Sequence, residues 1–198
     1  CRAMNRCDFS SLDYLRCGND LQRRSYEMLE REGIFRKLAP YGPLLAGTIP
    51  ICIDVESSDL DIVCRTGDAD GFALFANVKF GHYDGFSSSV HDDGVAVCRF
   101  ECDGIPVEIY ASDIEPSRSN AYRHMLVEDR VLRLLGETFR SEVVSLKRQG
   151  MKTEPAFAVL LGMGGDPYEG MLRLETLSDT DIRIMAEKAM LMRNKQIL

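Results

Sequence analysis

The spacing of apolar residues predicts a helix near the start of the chain. Asn19 can cap a helix that runs to Leu38 and ends before Pro40. Residues 1–18 carry no clear period and are expected to form an irregular or short helical lead-in. The apolar positions that carry the helical spacing are Leu21, Met28, Phe35 and Leu38.

The middle of the chain is patterned for strands. Asp93-Gly94 and Asp103-Gly104 are dipeptides typical of tight hairpin turns, and each lies between apolar runs. Earlier in the chain, Asp68 can cap a helix whose apolar residues are Phe72, Leu74 and Phe75. The predicted strands cover residues 44–46, 59–64, 86–90, 95–102 and 105–110.

Helices dominate the pattern after residue 112. A strong helix is predicted from Asn120 to Leu135, closed by Gly136, and a second over residues 142–148. Three more are expected to begin at Thr153, Asp166 and Ser178. The sequence therefore predicts an α+β fold, in which a mixed, largely antiparallel sheet in an α/β core (1–112) precedes a helical region packed on it (113–198).

Charge and composition narrow the function classes. With 24 basic and 31 acidic residues the chain has a net charge of −7, and its hydrophobic content of 45% fits one globular core. An acidic surface argues against general binding to nucleic acid or anionic membrane, although it leaves room for a local basic groove.

Cysteine use and hydropathy predict a cytoplasmic protein. The seven cysteines include no CxxC pair, and neither Cys98 nor Cys102 begins a zinc-ligand spacing, so free thiols in a reducing compartment are expected. The longest apolar run, residues 156–163, is too short to span a bilayer. No secretion signal is recognised, and no membrane partner is expected. The oligomeric state is left open.

Asp59-Leu60-Asp61, at the start of a predicted strand, carries the clearest candidate chemistry. Side chains alternate along a strand, so the two carboxylates should share one face. At about 4 Å and an effective dielectric constant of 20, their repulsion would be roughly 4 kcal/mol. Water, a divalent cation or a retained proton must offset this repulsion. A solvated strand edge, where paired aspartates have no special role, is the alternative.

Glu108 is a third acid with an unusual setting. It lies between Val107 and Ile109 in a predicted strand, where a carboxylate should face a polar site rather than a core. Pro106 favours the alternative of an exposed edge strand. Since two other acids already require a partner, Glu108 is a candidate to complete their site.

Three pieces of sequence combine into a known pattern. A short strand ends at Ala46-Gly47-Thr48, Ser58-Asp59-Leu60-Asp61-Ile62 follows about ten residues later, and Val107-Glu108-Ile109 lies in a later strand. Together they resemble the nucleotidyltransferase superfamily of the DNA polymerase β type. Stretches at 120–124 and 165–169 also resemble an uncharacterised bacterial family assigned to that superfamily.

The resemblance implies both a fold and a reaction. The fold is a mixed sheet backed by helices, in which three acids, Asp59, Asp61 and Glu108, would hold two Mg²⁺ ions. The reaction would move a nucleotidyl group from a nucleoside triphosphate to an unknown acceptor, which is a small molecule, a protein or RNA. Magnesium suits such a site because it prefers hard oxygen ligands.

The resemblance also implies a triphosphate site. Backbone amides at Gly47 and Thr48, with the Thr48 and Ser58 hydroxyls, would receive the phosphates. Pro50 departs from the family pattern, because it removes one backbone donor from this loop. Positive side chains should neutralise the remaining charge. The candidate cations are Arg123, His124, Lys147 and Lys152, with Arg123 preferred.

Two other functions stay open at this stage. A binding or regulatory module could keep the fold and lack catalysis, which the altered Gly-Thr-x-Pro loop favours. His91-Asp92, with His82 nearby, is similar to the His-Asp pair of metal phosphohydrolases, although a hairpin turn is predicted there. The glycine-rich run at 162–167 lacks the Lys-Ser/Thr end of a phosphate loop and is expected to link two helices.

Overall fold

The computed structural model describes residues 7–195, with side chains described as far as residue 193. Five strands and seven helices lie in this part of the chain. The strands are β1 Leu44–Ala46, β2 Leu60–Arg65, β3 Asp84–Val90, β4 Ala96–Cys102 and β5 Ile105–Ser112. The helices are α1 Asp20–Arg31, α2 Ile34–Leu38, α3 Ala69–Phe80, α4 Asn120–Arg148, α5 Thr153–Leu161, α6 Pro167–Arg173 and α7 Asp179–Lys195.

The described chain divides into two compact units. One contains the residues up to Cys52 together with Ser57–Tyr122, and therefore the whole sheet. The other contains Ile53–Glu56 and the residues from Arg123 onward. The domain boundary that the sequence predicts at 112/113 stays a prediction. No described helix combines the length and the apolar character that crossing a bilayer would require.

The five strands form one sheet in the order β1-β2-β5-β4-β3. Only the β2–β5 pair is parallel, and the other three pairs are antiparallel. The predicted α+β class with a mixed, largely antiparallel sheet is therefore confirmed. Alternate residues of the central strands enter the core that α1, α2 and α3 cover. The core includes Leu60, Ile62, Cys64, Val107 and Ile109 of the strands, and Met28, Ile34, Leu38, Phe72 and Phe80 of the helices.

Two predictions about the strands need correction. The exposed-edge alternative for Glu108 is wrong, because β5 lies between β2 and β4 at the centre of the sheet. Pro106 is tolerated there because β2 begins at Leu60, which pairs with Val107, so no β2 residue stands opposite the proline. β3 also begins two residues earlier than predicted, at Asp84.

The first helix starts as predicted but ends early. Asn19 caps α1, and its side chain accepts from the Gln22 amide in a reciprocal capping box. The chain then breaks at Gly33, whose left-handed φ of 61° is incompatible with a continuous helix, and α2 ends at Leu38. The single helix predicted from Asn19 to Leu38 is therefore wrong in its continuity. An isolated glycine inside an apolar helical pattern did not reveal the break.

The lead-in and the later helices largely follow their sequence signals. Within the predicted lead-in, residues 1–6 lie outside the described residues, and Asp13–Cys17 form a short 3₁₀ helix. Gly136 interrupts α4 with φ 79° and ψ −168°, as its helix-closing role predicts. Helical structure resumes at once, five residues before the predicted start. The 162–167 run links α5 to α6, with Gly162 and Asp166 as the two caps.

Candidate nucleotidyltransferase site

Two of the candidate acids, Asp61 and Glu108, are neighbours on the face of the sheet opposite the helical core. Leu60 and Ile62 of β2 point into the core, so Asp61 between them points to the other face. Val107 and Ile109 of β5 likewise bracket Glu108. The parallel register pairs Asp61 directly with Glu108, which brings two carboxylates distant in sequence side by side.

Asp59 lies one residue before β2 begins, and its side chain is half-buried. Strand alternation continued back from Asp61 places it on the same face. The backbone therefore supports a shared face for all three acids.

Gly47 brings the predicted phosphate-binding loop against this acid pair. It follows β1, whose last residue Ala46 pairs with Asp61 in the antiparallel register. A β-carbon added to Gly47 would overlap Asp61 Oδ2 and lie 2.9 Å from Asp61 Cγ. Its φ of +80° is also a conformation that side chains disfavour. Only glycine fits this approach of the loop backbone to the Asp61 carboxylate.

The two predicted phosphate-binding hydroxyls also come together. Thr48 Oγ1 and Ser58 Oγ lie 3.1 Å apart in a hydrogen bond, although ten residues separate them in the chain. Both side chains are half-buried. Two register pairs (Ala46–Asp61 and Asp61–Glu108) and two direct contacts (Gly47–Asp61 and Thr48–Ser58) thus fix most of the site. They place five of the six predicted site residues of the sheet unit: Gly47, Thr48, Ser58, Asp61 and Glu108.

Arg99 is a site residue that the sequence analysis missed. It lies opposite Glu108 in the β4–β5 register, and its Nη2 contacts Glu108 Oε2 at 2.5 Å. Its side chain is 58% exposed, whereas that of Glu108 is 25% exposed. The third acid is therefore neutralised by a cation of the neighbouring strand, in a pair that water can partly screen.

The residue types at this site are suitable ligands for magnesium, but their side chains are not arranged to hold an ion in this structure. Carboxylates and hydroxyls are the hard oxygen ligands that it prefers, and the register brings Asp61 and Glu108 together. Across residues 7–193, however, no group of three or more His, Cys, Asp or Glu side chains stands close enough to hold a metal ion. Because Glu108 is turned to Arg99, metal binding would require it to exchange that partner.

A pocket of about 190 Å³ opens on the same face of the sheet. Val63 and Tyr110, which line it, follow Asp61 and Glu108 by two residues on their strands and so face the same way. Burial, followed by the charge of Asp93, raises the pKa of Tyr110, so its phenol stays neutral at physiological pH. The remaining walls are Ser112, Ile114, Ser119, Asn120 and Ala121.

The predicted cations all belong to the second unit. Arg123 makes a two-point contact with Glu175, at 3.0 Å from Nε and 2.6 Å from Nη2. Lys147 Nζ donates to the Ile53 carbonyl at 2.7 Å. Lys152 is exposed and occupies the cap position before α5. Their roles toward a triphosphate remain predictions.

The second unit also holds a buried group of titratable side chains. Burial raises the pKa of Glu128 to about 8, with the Glu154 charge adding to the shift and Lys147 opposing it. Burial is the largest influence on Glu154 and raises its pKa, but hydrogen bonds from His124 and a backbone amide, with the electrostatic attraction of His124 and Lys147, together outweigh it and leave that pKa lowered. His124 lies 3.2 Å from Glu154 through Nδ1 and 3.1 Å from the Tyr168 carbonyl through Nε2. His124 is therefore a core histidine that joins α4 to α5 and α6.

His91 and Asp92 do not form the helical pair of a phosphohydrolase site. Both are exposed in the loop between β3 and β4, where the His91 amide donates to the Val95 carbonyl at 2.8 Å. His91 Nε2 lies 3.4 Å from Ser89 Oγ. The hairpin predicted at Asp93-Gly94 accounts for this placement.

The sheet order and its attached helices define a nucleotidyltransferase fold, and solved structures share it. A structure of Cid1 poly(U) polymerase with MgGTP bound matches with a TM-score of 0.50 and 13% identity, over 76% of this chain and 47% of that one. A second structure of Cid1, described as an RNA terminal uridylyl transferase, matches with a TM-score of 0.52 and 12% identity, over 81% and 52%. This chain thus spans about half the length of these proteins.

The chain belongs to a family described as a domain of unknown function, DUF4269, whose model matches residues 27–174. The matched range contains the predicted metal-binding and phosphate-binding residues. No curated protein matches the sequence. The predicted similarity to an uncharacterised family is therefore confirmed, and the nucleotidyltransferase fold is shared with the solved structures.

Proposed function

We propose that this protein is a magnesium-dependent nucleotidyltransferase that acts in the cytoplasm. The observation that carries the proposal is the Asp61–Glu108 register pair, with the Gly47 backbone packed against the Asp61 carboxylate. Carboxylates are the hard oxygen ligands that magnesium with bound phosphates prefers, and Glu108 would exchange Arg99 for that ion. The Cid1 structure with MgGTP bound supports a metal–triphosphate complex as the ligand.

Each residue has a definite role in the proposed reaction. Asp59, Asp61 and Glu108 would hold the metal, which supplies charge stabilisation for the entering and leaving oxygens. The loop at Gly47 and Thr48, with the Ser58 hydroxyl, would bind the phosphates.

The pocket beside Val63 and Tyr110 would take the sugar or base of the triphosphate. Glu108 would accept the proton of the acceptor hydroxyl. The acceptor oxygen then bonds to the α-phosphorus, the bond from that phosphorus to the bridging oxygen breaks, and pyrophosphate leaves. Arg123 and Lys152 are proposed to neutralise the departing charge. The acceptor is a small molecule, a protein or RNA.

Calorimetry with MgATP and MgGTP tests the proposal directly. We expect wild type to bind at least one of them in a magnesium-dependent manner and the Asp59→Asn/Asp61→Asn double variant to lose that binding. Asp92→Asn is the matched control, since Asp92 is an exposed acid of the loop between β3 and β4 and is not one of the three candidate ligands. Wild type that binds no triphosphate, or a double variant that binds equally well, would overturn the proposal.

A catalytically inactive binding module is the second candidate, and one observation favours it. The Arg99–Glu108 ion pair supplies an internal cation where the transferase needs a metal ligand. Such a module would bind triphosphate without releasing pyrophosphate in the presence of any acceptor. Pyrophosphate release that depends on Asp61 would exclude it.

A further inference from the structure

Gln22 is a buried amide that connects α1 to the loop after Gly47. Its side chain is only 3% exposed. Nε2 donates to two successive carbonyl oxygens, those of Ile49 at 2.9 Å and Pro50 at 3.0 Å. Oε1 accepts from the Asn19 amide at 3.0 Å. Both donors and the acceptor of this amide are therefore engaged.

The surrounding sequence leaves space for this side chain. A β-carbon added to Gly18 would overlap Gln22 Oε1 and would lie 2.7 Å from Gln22 Cδ and 2.8 Å from Gln22 Cβ. Gly18 thus fits the position because Gln22 occupies the volume beside it. Two local features, the capping box and the small residue before it, hold the amide in one orientation.

The anchored loop, in which the Cys52 amide donates to the Ile49 carbonyl at 3.2 Å, has an unusual backbone. It begins at Gly47 with φ +80° and ends at Cys52 with φ 58°. The Ile49–Pro50 peptide has no amide hydrogen, so it can be held from outside the loop only through the Ile49 carbonyl. Gln22 binds that carbonyl and the next one, that of Pro50, which fixes two consecutive peptide planes.

We propose that Gln22 is a positioning residue that holds the Gly47–Cys52 loop in the conformation that receives a triphosphate. The proposal rests on the proposed function, because it assigns the loop a phosphate to bind. It also explains Pro50, the departure from the family pattern. The proline restricts φ at the centre of a turn that Gln22 clamps, so the loop gains rigidity where it lacks a donor.

The matched pair Gln22→Met and Asn19→Ala separates this role from general stability. Gln22→Met keeps the volume and loses both bonds to the loop. Asn19→Ala weakens the same capping box and leaves the Gln22 amide in place to bind the loop. Gln22→Glu is a second variant, which keeps an oxygen facing the Asn19 amide while replacing the amide donor.

Two measurements on the full chain decide the outcome. We expect Gln22→Met to weaken MgGTP binding about tenfold, the equivalent of losing hydrogen bonds of ordinary strength. Amide hydrogen exchange over residues 47–52 should accelerate by a similar factor in Gln22→Met and stay unchanged in Asn19→Ala. If Gln22→Met does not fold, Gln22→Glu should show the same affinity loss and faster exchange.

Different results would reject the two proposals. If wild type binds MgGTP and Gln22→Met binds it equally well, the positioning role is wrong while the proposed function stands. Equal losses in Gln22→Met and Asn19→Ala would also overturn it, because a general destabilisation would then explain both. Wild type that binds no triphosphate would instead overturn the proposed function and, with it, the role of Gln22 toward phosphate.

Discussion

The two compact units differ in how deeply their carboxylates are buried and in what surrounds them. On the sheet face, Asp61 and Glu108 are half-buried neighbours, and Arg99 faces one of them. In the helical unit, Glu128 is 3% exposed, and burial raises its pKa to about 8. Chemically similar side chains therefore line the open face of the sheet in one unit and form a neutral packing group in the other. Access to water and to cations decides which role a carboxylate takes.

Asp61→Asn should have the largest effect on function. Removing one carboxylate from the sheet face should lower pyrophosphate release by at least about a thousandfold, since metal-centred charge stabilisation contributes several kcal/mol. The measurement is pyrophosphate release in the presence of magnesium, triphosphate and a pool of candidate acceptors.

Asp92→Asn provides the comparison for that experiment. This exposed hairpin acid should leave the release unchanged. The phosphohydrolase hypothesis predicts the reverse order of effects, with activity lost in His91 and Asp92 variants and retained in Asp61→Asn.

Glu128→Gln tests whether the buried carboxylate of the helical unit is neutral in the folded protein. Glu128 holds its proton in the fold up to about pH 8, whereas the unfolded chain releases it near the ordinary glutamate pKa. Wild-type stability should therefore fall as pH rises from 5 to 8. The variant should lack this slope and exceed wild type at pH 8 by up to about 5 kcal/mol.

Chemical denaturation at pH 5, 6, 7 and 8 measures this difference. Glu137→Gln is the control, because Glu137 lies on the same helix with its side chain 83% exposed and should leave the slope unchanged. A Glu128→Gln protein that keeps the wild-type slope would show that Glu128 is ionised in the fold.

Gly47→Ala should damage the site more than the fold. The left-handed φ should cost about 1–2 kcal/mol of stability, and the overlap with Asp61 should displace that carboxylate. MgGTP affinity should fall tenfold or more, which calorimetry and thermal melting together can establish.

Gly85→Ala is the matched control for this strain. Gly85 has a similar φ of +66°, but an added β-carbon would meet nothing within 4 Å. It should lower stability by about 1 kcal/mol and leave MgGTP affinity intact. Equal losses of affinity in both variants would contradict the close approach of Gly47 to Asp61.

Arg99→Gln should produce the smallest effect. Removing the half-exposed partner of Glu108 should lower the magnesium concentration for half-maximal triphosphate binding by about two- to fivefold, the scale of one surface ion pair. Arg65→Gln breaks the comparable Arg65–Glu115 pair, 3.1 Å apart, and should leave that concentration unchanged. A higher magnesium requirement in Arg99→Gln would mean that Arg99 assists metal binding.

Local signals predicted most elements of the fold. The Asn19 cap, the Asp68 and Asp166 caps and the two Asp-Gly hairpins each appear where the sequence places them. These features depend on side-chain bonds or turn conformations that span only a few residues. The helix break at Gly33 was missed because an isolated glycine does not itself state which φ it adopts.

The candidate site was predictable in part. Side-chain alternation correctly predicts that Asp61 leaves the core, and the Asp103-Gly104 hairpin sets the register that places Arg99 opposite Glu108. The two-residue turn therefore already specifies the Arg99–Glu108 pair in the sequence. The shared site of Asp61 and Glu108 was a hypothesis from their residue types and from the resemblance. Their parallel pairing was not predicted, because no local pattern specifies a partner strand so far along the chain.

The contact of Gln22 with the loop could not be predicted from the sequence pattern. In the sequence, Gln22 is recognisable only as a member of a capping box, and its bond to Asn19 accounts for that role. Its bonds to Ile49 and Pro50 join positions more than 25 residues apart and follow only from the packing of α1 against the loop.

A crystal structure with Mn²⁺ and a non-hydrolysable triphosphate tests the central claim most directly. Manganese substitutes for magnesium and gives an anomalous signal that locates the ion without ambiguity. We predict a peak bound by Asp59, Asp61 and Glu108, with Glu108 turned away from Arg99 and the phosphates on the Gly47–Thr48 loop. A triphosphate bound elsewhere, or a Glu108 still paired with Arg99 and no ion beside Asp61, would contradict the account.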